Sequence, residues 1–504
     1  MAKLALFPII LIILAIEAKT GFSTELFSNR VTITVNFEEK EYLQDTFVLR
    51  YWNSLLGVSV AEYLPYEESF ALNDSGSFKF TINPQNDFGY FCLSKKEQGT
   101  DKSLLYYYLF EHGDDITITM KKRDALLPKA YAKRNREYFS GFKNFSEYTP
   151  EFKGRGFAKY QCRFRMDSLS YVSEDSGILT SDYGFFKGNS HDKIKDACLE
   201  ILYDYRHELS TLAYSLLKSD IYGKQELDKY WEFKWLVLSD STMENGFPKL
   251  KEIFTEGFSP LNDDLLLQNI QFHSPFYLES LIEYHKNLLL IQGLKKPESL
   301  YDSISNKYSA IERERLLCLL LLTYRDKFEN QFAFYDEIYS GVTDDGLKGI
   351  LKNYSLKFLK GSSAFPFKFT DLEGHEIELG DLKGQVLLID FWFTGCRGCI
   401  TYFQNTLSHV EQSFRYNDKI KFLSVSIDKN VNTWIKSVNS ALYSSKETIN
   451  VFTNGEGTLH EFVKYYNINI YPTILIIDSK GNLVGIYNDR PPKDQLISIL
   501  NSVE

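Results

Sequence analysis

The chain has 504 residues, 44% of them hydrophobic and 25% charged, which is the composition of a globular protein with sizeable cores and argues against a largely disordered one. At about 100–200 residues per domain, that length holds two to four domains. A net charge of -10, with no cluster of Lys and Arg, excludes a nucleic-acid binder, because phosphate contacts require concentrated positive charge.

The N-terminus comes first. Lys3 precedes the apolar run Leu4 to Ile16, Glu17 and Lys19 close it, and Ala18 is a small residue suited to cleavage. This is the pattern of a secretory signal peptide over residues 1–18. The run falls short of the roughly 20 apolar residues that a spanning helix needs, so a cleaved leader is expected and an uncleaved anchor is the second reading, which leaves membrane association open. No cysteine follows that could carry a lipid. Residues 30–123 read as a small antiparallel β-sandwich: Val31 to Val35 alternates strictly, Asn73-Asp74-Ser75-Gly76 is a turn, and Gly113-Asp114-Asp115 leads into Ile116 to Thr119. The pair Asp114-Asp115 is assigned to turn chemistry, since two adjacent acids supply neither the ligands of a calcium site nor an acid–base geometry. The 34 Tyr and 39 Phe are read as core and half-buried sheet residues, with a sugar-stacking surface the lesser alternative.

Across 124–361 the apolar spacing changes to three and four, as in Ile194 to Leu217, Tyr277 to Leu290 and Ile311 to Phe328, and an all-α block is expected. No fixed repeat period is present, so an irregular bundle is preferred to a repeat array. Its apolar stretch Leu316 to Leu322 follows four charged residues, as in a buried helix of a soluble domain. His207, His273 and His285 lack any paired-ligand spacing and are read as surface or packing residues.

The last segment, 362–504, carries the chemistry. Val386 to Phe393 is apolar apart from Asp390, as in a central strand covered on both faces. The polar Thr394-Gly395 leads into Cys396-Arg397-Gly398-Cys399, and Ile400, Phe403, Leu407, Val410 and Phe414 then recur at helical spacing. A cysteine pair at a strand-to-helix junction sits at the positive end of the helix dipole, which lowers a thiol pKa from about 8.5 to between about 3.5 and 7.5. Cys396 is therefore expected to be the nucleophile, and Cys399, one turn along, the thiol that resolves a mixed disulfide. A zinc site is the alternative for a lone CxxC, but no second CxxC or CxxH completes four ligands. No metal is expected, and no cofactor beyond the cysteine pair itself.

Asp390 to Cys399 resembles the active-site segment of thioredoxins, and Phe365 to Glu504 as a whole resembles the TlpA/ResA-type extracytoplasmic branch, about 140 residues of the chain. Ile420 to Ile427, Asn450 to Thr453, Ile474 to Ile477 and Leu483 to Tyr487 match its strands, and Tyr471-Pro472-Thr473 its cis-proline segment. The resemblance implies that Asp390 accepts the proton of Cys399, the alternative being that it starts the loop and meets solvent. It also implies that Tyr471, Pro472 and Trp392 border the substrate. Three departures stand out: Gly395 where a tryptophan is usual, Arg397-Gly398 between the cysteines, and Tyr402 where many relatives carry a glutamate. Arg397 is read as a redox-tuning residue, because positive charge beside a thiolate favours the reduced form.

The expected protein is thus a thiol-disulfide oxidoreductase of the periplasm or cell envelope, similar to multidomain TlpA-like proteins of Gram-negative bacteria. Reduction is the favoured direction, with oxidation and isomerisation as alternatives. Its partners would be protein or peptide disulfides and an envelope thiol donor of electrons. Two rivals are a redox-responsive binding or scaffold protein whose disulfide does not turn over, and a peroxiredoxin, whose Pro-x-x-x-Thr-x-x-Cys context is not met. The N-terminal blocks would dock a partner or hold the redox domain at a distance. Cys198 and Cys318 are expected as inert buried thiols, and a Cys92–Cys162 bridge is left open.

Overall fold

A computed structural model of the protein describes residues 30–38, 45–61, 65–96, 101–122, 148–173, 190–239, 251–252, 254–255, 269–294, 296–324, 328 and 330–503. The expected leader over 1–18, and the start of the expected helical block at 124–147, lie outside them.

Eight strands, β1 (Val31–Phe37), β2 (Thr46–Trp52), β3 (Tyr66–Ala71), β4 (Ser77–Ile82), β5 (Phe88–Lys96), β6 (Asp101–Glu111), β7 (Asp115–Lys122) and β8 (Tyr148–Arg155), form two four-stranded sheets ordered β4-β1-β7-β8 and β3-β2-β5-β6. Alternation in β1 puts Val31, Ile33 and Val35 inward, where they share a core with Phe47, Phe91 and Phe110 of the facing sheet. Pairing is antiparallel except that β1 runs parallel to β7, a departure from the wholly antiparallel sandwich expected. The chain leaves the first sheet after β1, returns to it for β4, leaves again for β5 and β6 and comes back for β7, and a crossover delivers a parallel neighbour where a hairpin cannot. A further departure is β8, which lies inside the segment read as helical. Only Tyr148, Pro150 and Phe152 alternate inward, and a proline argues against a strand except at a sheet edge, which is where β8 sits.

Helices α1 (Phe157–Ser173), α2 (Ser190–Asp204), α3 (Thr211–Ser239), α4 (Pro275–Leu290), α5 (Pro297–Lys307), α6 (Ala310–Thr323), α7 (Gln331–Gly341) and α8 (Asp345–Phe358) follow. The periodic stretch Ile194 to Leu217 is two helices rather than one, because the Ser210 hydroxyl accepts the Ala213 N–H at 2.9 Å and so caps a new start. Asp114 is more than a turn residue. Buried, it accepts from Lys159 Nζ at 2.6 Å, Tyr160 OH at 2.7 Å and Glu111 N at 2.9 Å, and so ties β6–β7 to α1. Arg315 of α6, 1% exposed, donates to Phe272 O at 2.6 Å, Ser54 Oγ at 3.1 Å and Leu55 O at 3.4 Å. The sandwich is thereby joined to the helices through a buried guanidinium whose donors are satisfied.

Where α3 crosses α4, a Cβ at Gly223 would lie 2.3 Å from Tyr277 N and 2.5 Å from Phe276 C. Gly223→Ala should therefore lower stability by about 1–3 kcal/mol, because two backbones must separate. That loss outweighs the roughly 1 kcal/mol that alanine gains in helix propensity. Urea unfolding followed by far-UV circular dichroism reads the sign, and a variant more stable than the parent would show that α3 and α4 do not meet so closely.

The C-terminal sheet has seven strands, β9 (Lys368–Asp371), β10 (Glu376–Glu378), β11 (Val386–Trp392), β12 (Ile420–Ser426), β13 (Ile449–Phe452), β14 (Thr473–Ile477) and β15 (Leu483–Tyr487), ordered β10-β9-β13-β12-β11-β14-β15. Central β11 runs parallel to β12 and antiparallel to β14, and all seven of its residues are buried. The helices are α9 (Arg397–Tyr402), which passes through a π-turn at Phe403–Leu407 into α10 (Ser408–Ser413), then α11 (Val431–Asn439), α12 (Glu461–Tyr465) and α13 (Lys493–Val503). Val386 and Leu388 pack under Val410 of α10 and Leu496 and Leu500 of α13. Leu387, Ile389 and Phe391 point the other way, into a core with Phe462 of α12 that continues without a break to Leu351, Tyr354 and Phe358 of α8. The helical block does not hold this sheet at a distance; it shares a core with it. Phe365 stacks on Tyr465 at 4.1 Å and donates its N–H to Tyr466 OH at 2.9 Å, and Lys464 reaches Glu67 of β3 at 3.5 Å.

Candidate active site

The loop between β11 and α9 is held from below. Thr394 donates its N–H and hydroxyl to Asp428 at 2.9 and 2.6 Å, and Ser426 Oγ donates to the same carboxylate at 2.9 Å. Gly395 gives its N–H to Tyr443 OH at 2.7 Å and has φ +95°, a conformation that a tryptophan would adopt only under strain. That accounts for the first departure from the thioredoxin pattern. The loop delivers Cys396 as the N-cap of α9, with Sγ accepting the Cys399 N–H at 3.1 Å. Cys396 and Cys399 are joined in a disulfide, 7% and 3% exposed, so the more exposed cysteine is the one at the positive end of the helix.

Asp390 does not start the loop or meet solvent. It lies within β11, 5% exposed, on the face covered by α9 and α10, and its Oδ1 has no hydrogen-bond partner. Burial above all, and then the negative charge of Glu411, hold its pKa well above the usual carboxylate range. Glu411 of α10 is raised as well, chiefly by burial, against the Thr448 hydroxyl that it accepts at 2.8 Å. Tyr402, one turn beyond Cys399, is buried and donates its hydroxyl to Pro491 O at 2.7 Å.

The Tyr471-Pro472 bond is cis and immediately precedes β14. Pro472 is buried, whereas Tyr471 is half-buried with its ring edge-on to Phe393 at 5.5 Å. Trp392 requires a correction. It is 0% exposed, donates Nε1 to Ser424 Oγ at 2.7 Å and stacks on Tyr443 at 4.5 Å, so it offers a substrate no surface and instead packs behind the cysteines. The exposed aromatic is its neighbour Phe393, 37% exposed, because β11 ends at Trp392 and the next side chain turns out of the sheet. An aromatic directly after a strand apolar in all but Asp390 was the available signal. Arg397 is exposed at the first position of α9. Arg490, distant in sequence, also reaches this surface: its Nη2 lies 2.7 Å from where a Cβ of Gly398 would be.

A family model described as thioredoxin-like matches residues 384–483. A thiol-disulfide oxidoreductase ResA of Bacillus thuringiensis is 26% identical over 148 residues, 28% of this chain and 78% of that protein. The C-terminal third is a TlpA/ResA-like thioredoxin domain. The thioredoxin-like protein YneN of Bacillus subtilis is 27% identical over 137 residues, 27% of this chain and 76% of that protein. The solved thioredoxin domain of a thiol-disulfide oxidoreductase from Bacteroides vulgatus is 24% identical, with 29% of this chain and 99% of that domain covered and a TM-score of 0.25. The TlpA/ResA-like domain makes this protein an oxidoreductase of the thiol-disulfide class.

Outside that domain, Cys92, Cys162, Cys198 and Cys318 are buried thiols that form no disulfide. The Cys92–Cys162 bridge left open by the sequence is not formed; Cys92 Sγ instead accepts the Tyr107 N–H at 3.2 Å. Burial pushes the Cys92 and Cys162 thiols up to about 12, which leaves them unreactive beside a cysteine at a helix N-terminus. His285 is buried between Ser303 Oγ at 2.8 Å and Tyr308 OH at 3.1 Å, His273 lies edge-on to Phe88 at 5.5 Å, and His207 is exposed. Among the described residues no three His, Cys, Asp or Glu side chains gather as a metal site, and no helix is long and apolar enough to cross a membrane.

Proposed function

We propose that the protein reduces disulfides of proteins or peptides outside the cytoplasm, with Cys396 as nucleophile and Cys399 as resolving thiol. The observation that carries this reading is a CxxC pair at a helix N-cap with the buried Asp390 carboxyl, its Oδ1 without a hydrogen-bond partner, on the strand beneath that helix. In the dithiol form the Cys396 thiolate attacks one sulfur of a substrate disulfide. A mixed disulfide forms, and the other substrate sulfur leaves as a thiolate. Cys399 then gives its proton to Asp390 and attacks Cys396 Sγ, releasing the second substrate thiolate and leaving the Cys396–Cys399 disulfide. Two electrons pass from the dithiol to the substrate, and an envelope thiol donor restores the dithiol. Arg397 favours the thiolate and so the reduced form. Phe393, Tyr471 and Pro472 border the substrate, and no metal or further cofactor takes part. The apolar leader supports export to the periplasm or cell envelope.

A Cys399→Ser variant removes the resolving thiol and should accumulate mixed disulfides that dithiothreitol releases. Non-reducing electrophoresis and peptide mapping of the full chain should place the adduct on Cys396. If no adduct forms with a peptide disulfide, the pair closes only on itself and the protein is a redox-responsive scaffold.

A further inference from the structure

We propose that Arg490, acting with Arg397, selects disulfides flanked by acidic residues; this rests on the disulfide-exchange reading above. Three separate features present the Arg490 guanidinium at the CxxC turn. The Tyr402 hydroxyl holds the Pro491 carbonyl at 2.7 Å, which anchors the loop after β15 to the helix bearing Cys399. Arg490 has φ +57°, a left-handed conformation that strains a non-glycine residue and recurs at ligand-contacting positions. Gly398 leaves room for it: a Cβ there would meet Nη2 at 2.7 Å and Cζ at 3.3 Å. The second and third departures from the thioredoxin pattern, Gly398 and Tyr402, are therefore one device.

Bond lengths from Gly398 to the Cys399 N–H, and that group's 3.1 Å contact with Cys396 Sγ, place Nη2 no more than about 10 Å from the reactive sulfur, roughly a Debye length. Arg397 and Arg490 are both exposed, and neither guanidinium is tied to a carboxylate of the described residues, the adjacent Asp489 included. Phe393 and Tyr471 at this surface carry no charge; of the nearby carboxylates, Asp428 is engaged by Thr394 and Ser426 below the loop and Asp489 is exposed next to Arg490. Two cations, at least one of them fixed by packing, suit a carboxylate next to the substrate cysteine, which a guanidinium grips through two parallel hydrogen bonds.

The test uses the reduced full chain and three otherwise identical peptide disulfides with Asp, Ser or Lys on either side of the cysteine. Exchange rates should fall in the order Asp, Ser, Lys, about tenfold from first to last, and the spread should shrink in 0.5 M salt. Arg490→Glu should invert the order, and Gly398→Ala, which displaces the guanidinium while keeping its charge, should narrow it. Equal rates on all three peptides, or an unchanged order in Arg490→Glu, overturn the selection and leave the exchange reading intact. Failure to exchange any peptide overturns that reading, and the selection with it.

Discussion

Cys396→Ser is expected to abolish disulfide exchange altogether, leaving only the rate of dithiothreitol alone in an insulin-reduction assay. A serine hydroxyl neither ionises at neutral pH nor forms a disulfide, so the first step has no electrophile–nucleophile pair to join. Fold should survive. The side chain at the N-cap of α9 still accepts the Cys399 N–H, as serine is among the favoured N-cap residues, and the neighbouring loop is held independently by Asp428 and Tyr443. Near-UV circular dichroism and a melting temperature close to that of the reduced parent are the controls. The buried Cys399 left behind, 3% exposed, should react slowly with iodoacetamide at pH 6, whereas the parent's first alkylation should fall on Cys396. Full activity in this variant, or faster alkylation at Cys399 in the parent, would reverse the two roles.

Asp390→Asn should slow turnover and stabilise the fold at once. If, as proposed, the carboxyl accepts the proton of Cys399 in the resolving step, its loss should slow release of the mixed disulfide ten- to a hundredfold, near the low end for general-base catalysis because hydroxide can substitute. The stability effect has a definite sign. The folded pKa lies well above the ordinary value, mainly through burial and then through Glu411, while the unfolded carboxyl ionises near 3.9. From about pH 4 upward the unfolded state therefore loses protons that the folded state retains, and the parent is progressively destabilised until the folded group itself ionises. Asparagine escapes that loss. Thermal unfolding should show the variant more stable than the parent at pH 7 and equal to it at pH 3. A gap that persists at pH 3 would mean that packing, not titration, separates the two proteins. Glu411, also raised, titrates in both and shapes their common profile.

Much of the redox domain was legible because each element carries a local pattern. A strand apolar except at Asp390, a polar two-residue loop, CxxC and an amphipathic continuation determine β11, α9 and α10 by periodicity alone, and the strand-to-helix junction determines that the first cysteine occupies the N-cap. Alternation likewise determined β1, and turn residues the ends of β4 and β7. These are short-range properties, in which side-chain spacing and backbone preference act within about ten residues. What failed locally failed for stated reasons: Pro150 disguised an edge strand, and Ser210 divided a periodic stretch into two helices.

Tertiary structure alone decided the rest. Whether Asp390 met solvent depended on α10 crossing over β11, which also set Glu411 beside it. Trp392 was withdrawn from the substrate and Phe393 exposed by where the sheet ended. Parallel pairing of β1 with β7, and the core running from α8 into the sheet of the redox domain, join residues far apart in the chain, and no local spacing encodes such a contact. The approach of Arg490 to Gly398 spans 92 residues of sequence and rests on a single buried hydroxyl, that of Tyr402, holding a loop in place; only packing brings such groups together, because the free energy that fixes them is shared by the whole core.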